Sequence, residues 1–276
     1  MTQEEKLNEL RQRELVGDQR SNDWLKLRHD YITASTSAAC AGLMGKVSRE
    51  NMLKEKVSYG TEKAFFGNSF TAKGNLFEPV TNMIYSKKTS KVIHAYALIP
   101  SDQTEWTFMG ASTDGVTNTL ENIEIKTLAR RAIGKIKREY YHQMQHQMFC
   151  LNLDVTHFIE AKYDEYDNEE TWQTHRGESV FSGVILELKP TGTSNYIYSP
   201  IDEPDPVLWA KQMSPDPARY IYWIMTDYDC KEVPRDPTWI ISMGPLLKKF
   251  WEDVLYYREH PTELIPEKIN LETCLI

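Results

Sequence analysis

Asp114, Glu124 and Lys126 are the residues of this chain best suited to chemistry. Ser112-Thr113-Asp114-Gly115 reads as the end of a strand entering a tight turn, and Glu124-Ile125-Lys126 reads as the next strand. Side chains alternate along a strand, so Glu124 and Lys126 share one face and Ile125 takes the other. Ile123, Ile125 and Thr127 suit a strand with one buried face. With Asp114 ending the neighbouring strand, an aspartate, a glutamate and a lysine converge on one rim. Two carboxylates can hold a hard divalent cation. A lysine beside them can orient or activate a water, or steady charge on a phosphate. The outline is that of a metal-dependent phosphodiesterase site. A Glu-x-Lys triplet alone is a weak signal, because an exposed strand face with alternating charges reads the same way. Its neighbours add weight. Asp114 lies ten residues before Glu124, the right distance for a returning hairpin. Gly74-Asn75-Leu76-Phe77-Glu78 offers a third acid on an expected helix. Tyr140 and Gln143, spaced i, i+3, share a face of another.

The elements that must position these residues are legible in outline. Ser21-Asn22-Asp23 is a cap signal ahead of Trp24-Leu25-Lys26-Leu27-Arg28. Ile32-Thr33-Ala34-Ser35 leads into small residues, Thr36 to Gly42, that suit a helix N-terminus; free N–H groups, a serine and the Arg28 guanidinium make an anion site there. Residues 45–72 read as irregular. Gly74 to Lys88 has helical spacing, with Pro79 expected in its first turn. Val92–Ile99 and Trp106–Ala111 read as consecutive strands, closed by Glu124–Thr127. From Lys135 to Leu151 the pattern is helical, with Tyr140, Gln143 and Gln147 along one face and Gln145 turned away. Gln147, one turn beyond Gln143, is the weaker site candidate. Val155–Tyr163, Ser179–Leu188 and Tyr220–Thr226 read as strands, Val207–Met213 as a short helix, and Pro245–His260 as a closing helix with proline in its first turn.

Composition sets the class. The 276 residues, 41% hydrophobic and 26% charged, suit a globular protein with a sizeable core. No apolar run approaches the roughly 18 residues that cross a bilayer, and the polar N-terminus is no secretory signal. An intracellular, cytoplasmic setting with reduced thiols is expected. Cys40, Cys150, Cys230 and Cys274 are too scattered for a zinc site, a disulfide framework or an iron–sulfur cluster. His142 and His146, spaced i, i+4, lack a third ligand. The net charge of −8 counts mildly against nucleic-acid binding, but local charge matters more. Lys126, Arg130, Arg131, Lys135, Lys137 and Arg138 place six cations in thirteen residues without an acid. A solvated helix or loop face is the bland explanation; the position just after the candidate metal site favours phosphate contact.

At Trp24–Arg28, Ile32–Ser35, Gly74–Glu78, Ser112–Gly115, Glu124–Lys126 and Tyr140–Gln143, in this order and spacing, the chain resembles the λ-exonuclease and YqaJ-type viral recombinase family of the PD-(D/E)XK nuclease superfamily. The match runs from about residue 20 to about 163. The resemblance implies an α/β fold: a mixed central sheet flanked by helices, with a restriction-endonuclease-like core. It makes 1–276 one nuclease domain, with core at about 20–163 and 219–260 and an insertion at about 165–218. It implies Mg²⁺, with Mn²⁺ able to substitute, held by Asp114, Glu124, the Ile125 carbonyl and Glu78. Lys126 and Gln143 would complete the catalytic set. Arg28, Ser35 and Ser112 would bind a 5′-phosphate; Arg130, Arg131 and Tyr140 would line the DNA path. The expected activity is 5′-to-3′ digestion of double-stranded DNA ends, leaving 3′ overhangs for a single-strand annealing protein. A ring-shaped trimer, and a host-cell cytoplasmic location for a phage-encoded enzyme, follow from the same resemblance. A structure- or sequence-specific endonuclease, and a non-catalytic DNA-end-binding module, are the alternatives.

Overall fold

The computed structural model describes residues 1–15, 19, 21–59, 69–129, 131–178, 181–189 and 195–264, with backbone alone at 69–71 and 178. In chain order its elements are α1 (Gln3–Arg13), α2 (Asn22–Leu27), β1 (Ile32–Thr33), α3 (Ser37–Cys40), α4 (Lys46–Val57), α5 (Ser69–Thr89), β2 (Ile93–Pro100), β3 (Met109–Thr117), β4 (Asn122–Thr127), α6 (Arg138–Leu151), β5 (Val155–Tyr166), α7 (Glu169–His175), β6 (Ser182–Glu187), β7 (Tyr196–Tyr198), α8 (Pro206–Met213), β8 (Arg219–Pro234) and α9 (Trp239–Glu259).

The strands form one mixed sheet in the order β1-β3-β4-β5-β8-β6-β7, with β2 also paired to β3. This is the α/β class expected, a central mixed sheet flanked by helices. β4 and β5 run parallel, joined by α6 as the crossover. The alternation in β4 decides which helix covers which face. Ile123 and Ile125 lie with Tyr85 of α5 and Ile159 of β5. Further along α5, Phe77, Val80 and Ile84 pack on Ala161, Tyr163, Ile185, Ile221 and Trp223. On the opposite face, Met144 and Met148 of α6 meet Phe158 and Val233. Behind α6, Phe149 and Cys150 join a cluster with Ile32, Cys40, Leu53, Trp239 and Phe250. The sheet therefore carries Glu124 and Lys126 on the face that α6 covers.

Several elements differ from the sequence expectation for identifiable reasons. Residues 46–57 are helical rather than irregular: burial of Leu53 and Lys56, and an Arg49–Asp253 ion pair at 2.7 Å to α9, stabilise a stretch with little amphipathic pattern of its own. Residues 60–68 of the same expected loop lie outside those described. Pro79 and Pro245 sit inside α5 and α9 rather than in their first turns. Buried residues on both sides of each proline (Phe77 with Val80 and Ile84, Met243 with Leu247 and Phe250) offset the roughly 3 kcal/mol an interior proline costs. Trp106 is in a short 3₁₀ turn, and the strand expected there begins at Met109. β8 does not stop at Thr226 but runs on through Asp227, Tyr228 and their polar successors to Pro234, because it pairs with β5 from Tyr166–Tyr222 through Val155–Pro234. The 165–218 stretch extends the same sheet: β6 pairs with β8, and Trp172, Val184, Val207 and Tyr222 form its core.

Candidate active site

The β3–β4 hairpin sets the carboxylates. Its ladder is short, with Gly115 opposite Ile123 and Val116 opposite Asn122. Beyond it, Asp114 Oδ2 accepts from the Ile125 backbone N–H at 2.7 Å, so a side chain takes over where main-chain pairing stops. The strand does not end in a turn at Asp114-Gly115 as expected: β3 runs on to Thr117, and Gly115 lies inside it close to β2, where a Cβ would lie 2.3 Å from Ile93 Cγ2. The hairpin tip is tied by Glu121, which accepts from Lys91 at 2.6 Å and from the hydroxyls of Thr117 and Thr119.

Glu124 is almost fully buried, yet both its oxygens are bonded. Oε1 accepts from the Lys126 ammonium and, at 2.9 Å, from Gln143 Nε2; Oε2 accepts from Gln147 Nε2 at 2.7 Å. Lys126 also reaches Gln143 Oε1 at 3.4 Å. Burial pushes the Asp114 carboxyl well above its ordinary value, and the charges of Glu124 and Glu78 push it further. Glu78, on α5, is thus near enough for its charge to act on Asp114. Burial alone would lower Lys126, but Glu124 and Asp114 outweigh it and hold the amine above the usual lysine value. Lys126 is thus held as a cation by the two carboxylates beside it.

The arrangement concentrates buried negative charge that a cation would relieve. Asp114, Glu124 and the Ile125 carbonyl are hard oxygen donors of the kind Mg²⁺ prefers. Among the described residues, no three His, Cys, Asp or Glu side chains group closely enough to form a ready-made metal cluster. The structure brings Asp114 and Glu124 together on this rim, with the charge of Glu78 acting on Asp114 from α5.

A second group of residues is joined to this one through Trp24. Its indole Nε1 donates to Ser112 Oγ at 3.0 Å, and the Arg28 guanidinium lies 4.4 Å from its ring centroid. Arg28 in turn donates to Ser35 Oγ at 3.2 Å. The Arg28 turn is braced from behind. Buried Lys56 donates to the Arg28 carbonyl, and Arg258 of α9 donates to the carbonyls of His29 at 2.7 Å and Lys56 at 3.0 Å. Two hydroxyls and a guanidinium thus stand in one connected row ending two residues from Asp114.

Residues 23–156 match the family model for the YqaJ-like viral recombinase domain, a span that includes every residue placed so far from Trp24 to Gln147. Over that span the chain is similar to the YqaJ-like viral recombinase domain. The chain is 24% identical to uncharacterized protein R354 of Acanthamoeba polyphaga mimivirus over 90% of its own length and 54% of that protein's. It therefore spans about half of the curated relative it matches. Its fold is that of an alkaline exonuclease, LHK-Exo, from Laribacter hongkongensis: TM-score 0.56, 19% identity, 88% of this chain and 97% of the other covered. A crystal structure of LHK-Exo in complex with dAMP superposes with the same TM-score of 0.56, at 20% identity.

Within the matched span, the basic run after β4 is less uniform than its composition suggests. Arg131 pairs with Glu160, a buried acid of β5 in register with Lys126, and also donates to the carbonyls of Ala132 and Lys135 at 3.2 Å. Gly134 N donates to the other Glu160 oxygen at 2.7 Å. Arg131 thus pins the loop that leads into α6. Lys135, Lys137 and Arg138 are exposed, and Arg130 lies outside the described residues. Tyr140 collects cations on its ring: Lys126 at 4.7 Å, Lys137 at 5.4 Å and Arg131 at 5.8 Å. Gln147 bonds Glu124 directly, which its ranking behind Gln143 understates; the i, i+4 spacing from Gln143 was the available signal. Gln145 turns away, to Pro234 O at 2.9 Å. Glu160, Asn122 and Thr113 had no readable signal, since single polar residues in a strand give none until the partner strand is known.

Proposed function

We propose that this chain is a Mg²⁺-dependent deoxyribonuclease that digests double-stranded DNA ends 5′ to 3′. The observation that carries this reading is the convergence of Asp114, Glu124 and Lys126 at the end of a short hairpin ladder. The YqaJ-like match and the likeness to a protein described as an alkaline exonuclease support it. Mn²⁺ substitution, a 3′ overhang handed to a single-strand annealing protein, and a trimeric assembly belong to the same proposal. Intracellular action is proposed with it; among the described residues no helix is long and apolar enough to cross a membrane.

Asp114, Glu124 and the Ile125 carbonyl would hold the metal, with Glu78 contributing charge nearby; the ion supplies Lewis-acid polarisation of the scissile phosphate and a water of lowered pKa. Lys126, protonated, steadies the charge that grows on the phosphate and its nucleophile. Gln143, bonded to both Glu124 and Lys126, keeps the two in register and offers its amide to a water. Arg28, Ser35 and Ser112 hold the terminal 5′-phosphate. Tyr140 with Lys126 and Lys137 lines the strand path, and Arg130 is assigned to the same path by resemblance.

The test is hydrolysis of linear duplex DNA with Mg²⁺, comparing 5′-phosphate with 5′-hydroxyl ends and a closed circle. Release of mononucleotides from the phosphorylated duplex is expected. Lys126→Met should lower kcat by about 10²–10³-fold, while Arg28→Ala should raise KM on phosphorylated ends and leave hydroxyl ends nearly unaffected. Cutting of the circle would replace the exonuclease with an endonuclease on the same site. End binding by folded protein with no product from any substrate would leave a binding module.

A further inference from the structure

Glu124 is held from behind by a buried polar cluster that the proposed chemistry does not use. Gln147 Nε2 donates to Glu124 Oε2 at 2.7 Å and to the Ser112 carbonyl at 3.1 Å. Gln147 Oε1 accepts from Asn122 Nδ2 at 3.0 Å. Asn122 Nδ2 also donates to Thr156 Oγ1 at 3.0 Å, and Asn122 Oδ1 accepts from Thr113 Oγ1 at 2.5 Å. Gln147, Asn122 and Thr156 are each 0% exposed. Burying so many amides and hydroxyls is unfavourable unless all are satisfied, and here each amide hydrogen has an acceptor. Besides main-chain carbonyls, the cluster holds Glu124 Oε2.

The two oxygens of Glu124 are consequently unequal. Oε1 faces Lys126 and Gln143, which lie at the partly exposed rim. Oε2 faces an amide that is itself immobilised from two further sides. A cation arriving from the rim must displace Lys126 and Gln143 to reach Oε1, while Oε2 stays bonded to Gln147.

Resting on the metal site proposed above, we propose that Gln147 is a metal-selectivity residue: by occupying Oε2 it restricts Glu124 to one-oxygen ligation and so favours Mg²⁺ over Ca²⁺. Mg²⁺ demands near-octahedral single-oxygen contacts, whereas the larger Ca²⁺ readily takes both oxygens of a carboxylate. Gln147 is a positioning residue: it touches the ligand and not the ion.

The experiment is calorimetric titration of the full chain with Mg²⁺ alone and with Ca²⁺ alone, for the wild type, Gln147→Met, Gln145→Met and Glu124→Gln. Methionine keeps the volume of glutamine and removes the donor. Gln145 is a fitting control, since it is buried on the same helix and bonded to Pro234 O and Asp236 N instead. The ratio of Ca²⁺ to Mg²⁺ dissociation constants should fall about tenfold in Gln147→Met, the usual scale for a partner of a metal ligand, and hold steady in Gln145→Met. An unchanged ratio in folded Gln147→Met overturns the proposal, as does an equal shift in Gln145→Met. Gln147→Leu carries the same comparison should the methionine variant not fold. If the wild type binds neither ion, or Glu124→Gln changes nothing, the metal reading of the site fails first and takes this inference with it.

Discussion

Arg131 shows how a single side chain can look like a substrate contact in composition and act as an anchor in the fold. Its partner Glu160 is 1% exposed, and a buried carboxylate left without its cation is costly. Arg131→Met should therefore destabilise the protein by about 3 kcal/mol, whereas Arg131→Met combined with Glu160→Met should recover much of that loss. Urea unfolding of the two variants measures both. A phosphate-contacting role without the anchor predicts nearly unchanged stability in the single variant. The same logic separates the cations around Tyr140. Lys126 is held by Glu124, Arg131 by Glu160, and Lys137 makes only a 3.5 Å pair with Glu139, so Lys137 is the freest of the three to meet a phosphate.

At the scale of elements, the β3–β4 hairpin depends on Glu121 at its tip. Burial would raise this carboxyl, but hydrogen bonds from Lys91, Thr117 and Thr119 win and hold it at about 2, against an ordinary 4.5. A depressed folded-state value means stability that is fully present above about 4.5 and is lost as the pH falls through about 2. Glu121→Gln should thus destabilise the protein at pH 7 by about 1 kcal/mol, since solvent screens a partly exposed carboxylate, and the gap to the wild type should close as the pH drops through that window, as read from denaturant midpoints in a pH series. The hairpin was also the most legible element. Polar–apolar alternation in β4 and turn residues before it are local signals, and they placed Asp114, Glu124 and Lys126 on one rim. What escaped the sequence was set by distant partners. α4 is helical through α9, β8 is long through β5, and the bond from Gln147 to Glu124 needs α6 laid across the sheet. The Arg28–Ser35 row was legible as two motifs, but the indole of Trp24 that joins it to Ser112 was not.

Over the whole molecule, β8 is the element that joins the halves. Along one length it pairs with β5, the neighbour of β4, and along another with β6, which carries α8. The 165–218 stretch therefore shares a strand with the nuclease-like core and should not unfold separately. Thermal or urea unfolding followed by tryptophan fluorescence should coincide with far-UV circular dichroism, and Trp172→Ala, which empties a fully buried site, should shift both together by about 3–5 kcal/mol. Two separated transitions would divide the chain into independent units.

Asp114 closes the β3–β4 ladder with its own carboxylate, and this bears on how such proteins age in evolution. Because Ile125 N–H takes its acceptor from this side chain, losing Asp114 frays a hairpin as well as the proposed reaction centre. Lys126 carries no comparable backbone duty. In a lineage drifting out of catalysis, the lysine is free to vanish early while the aspartate lingers as scaffold. A surviving aspartate in a distant homologue is thus weak testimony to activity, and the lysine two residues beyond the glutamate is the better witness.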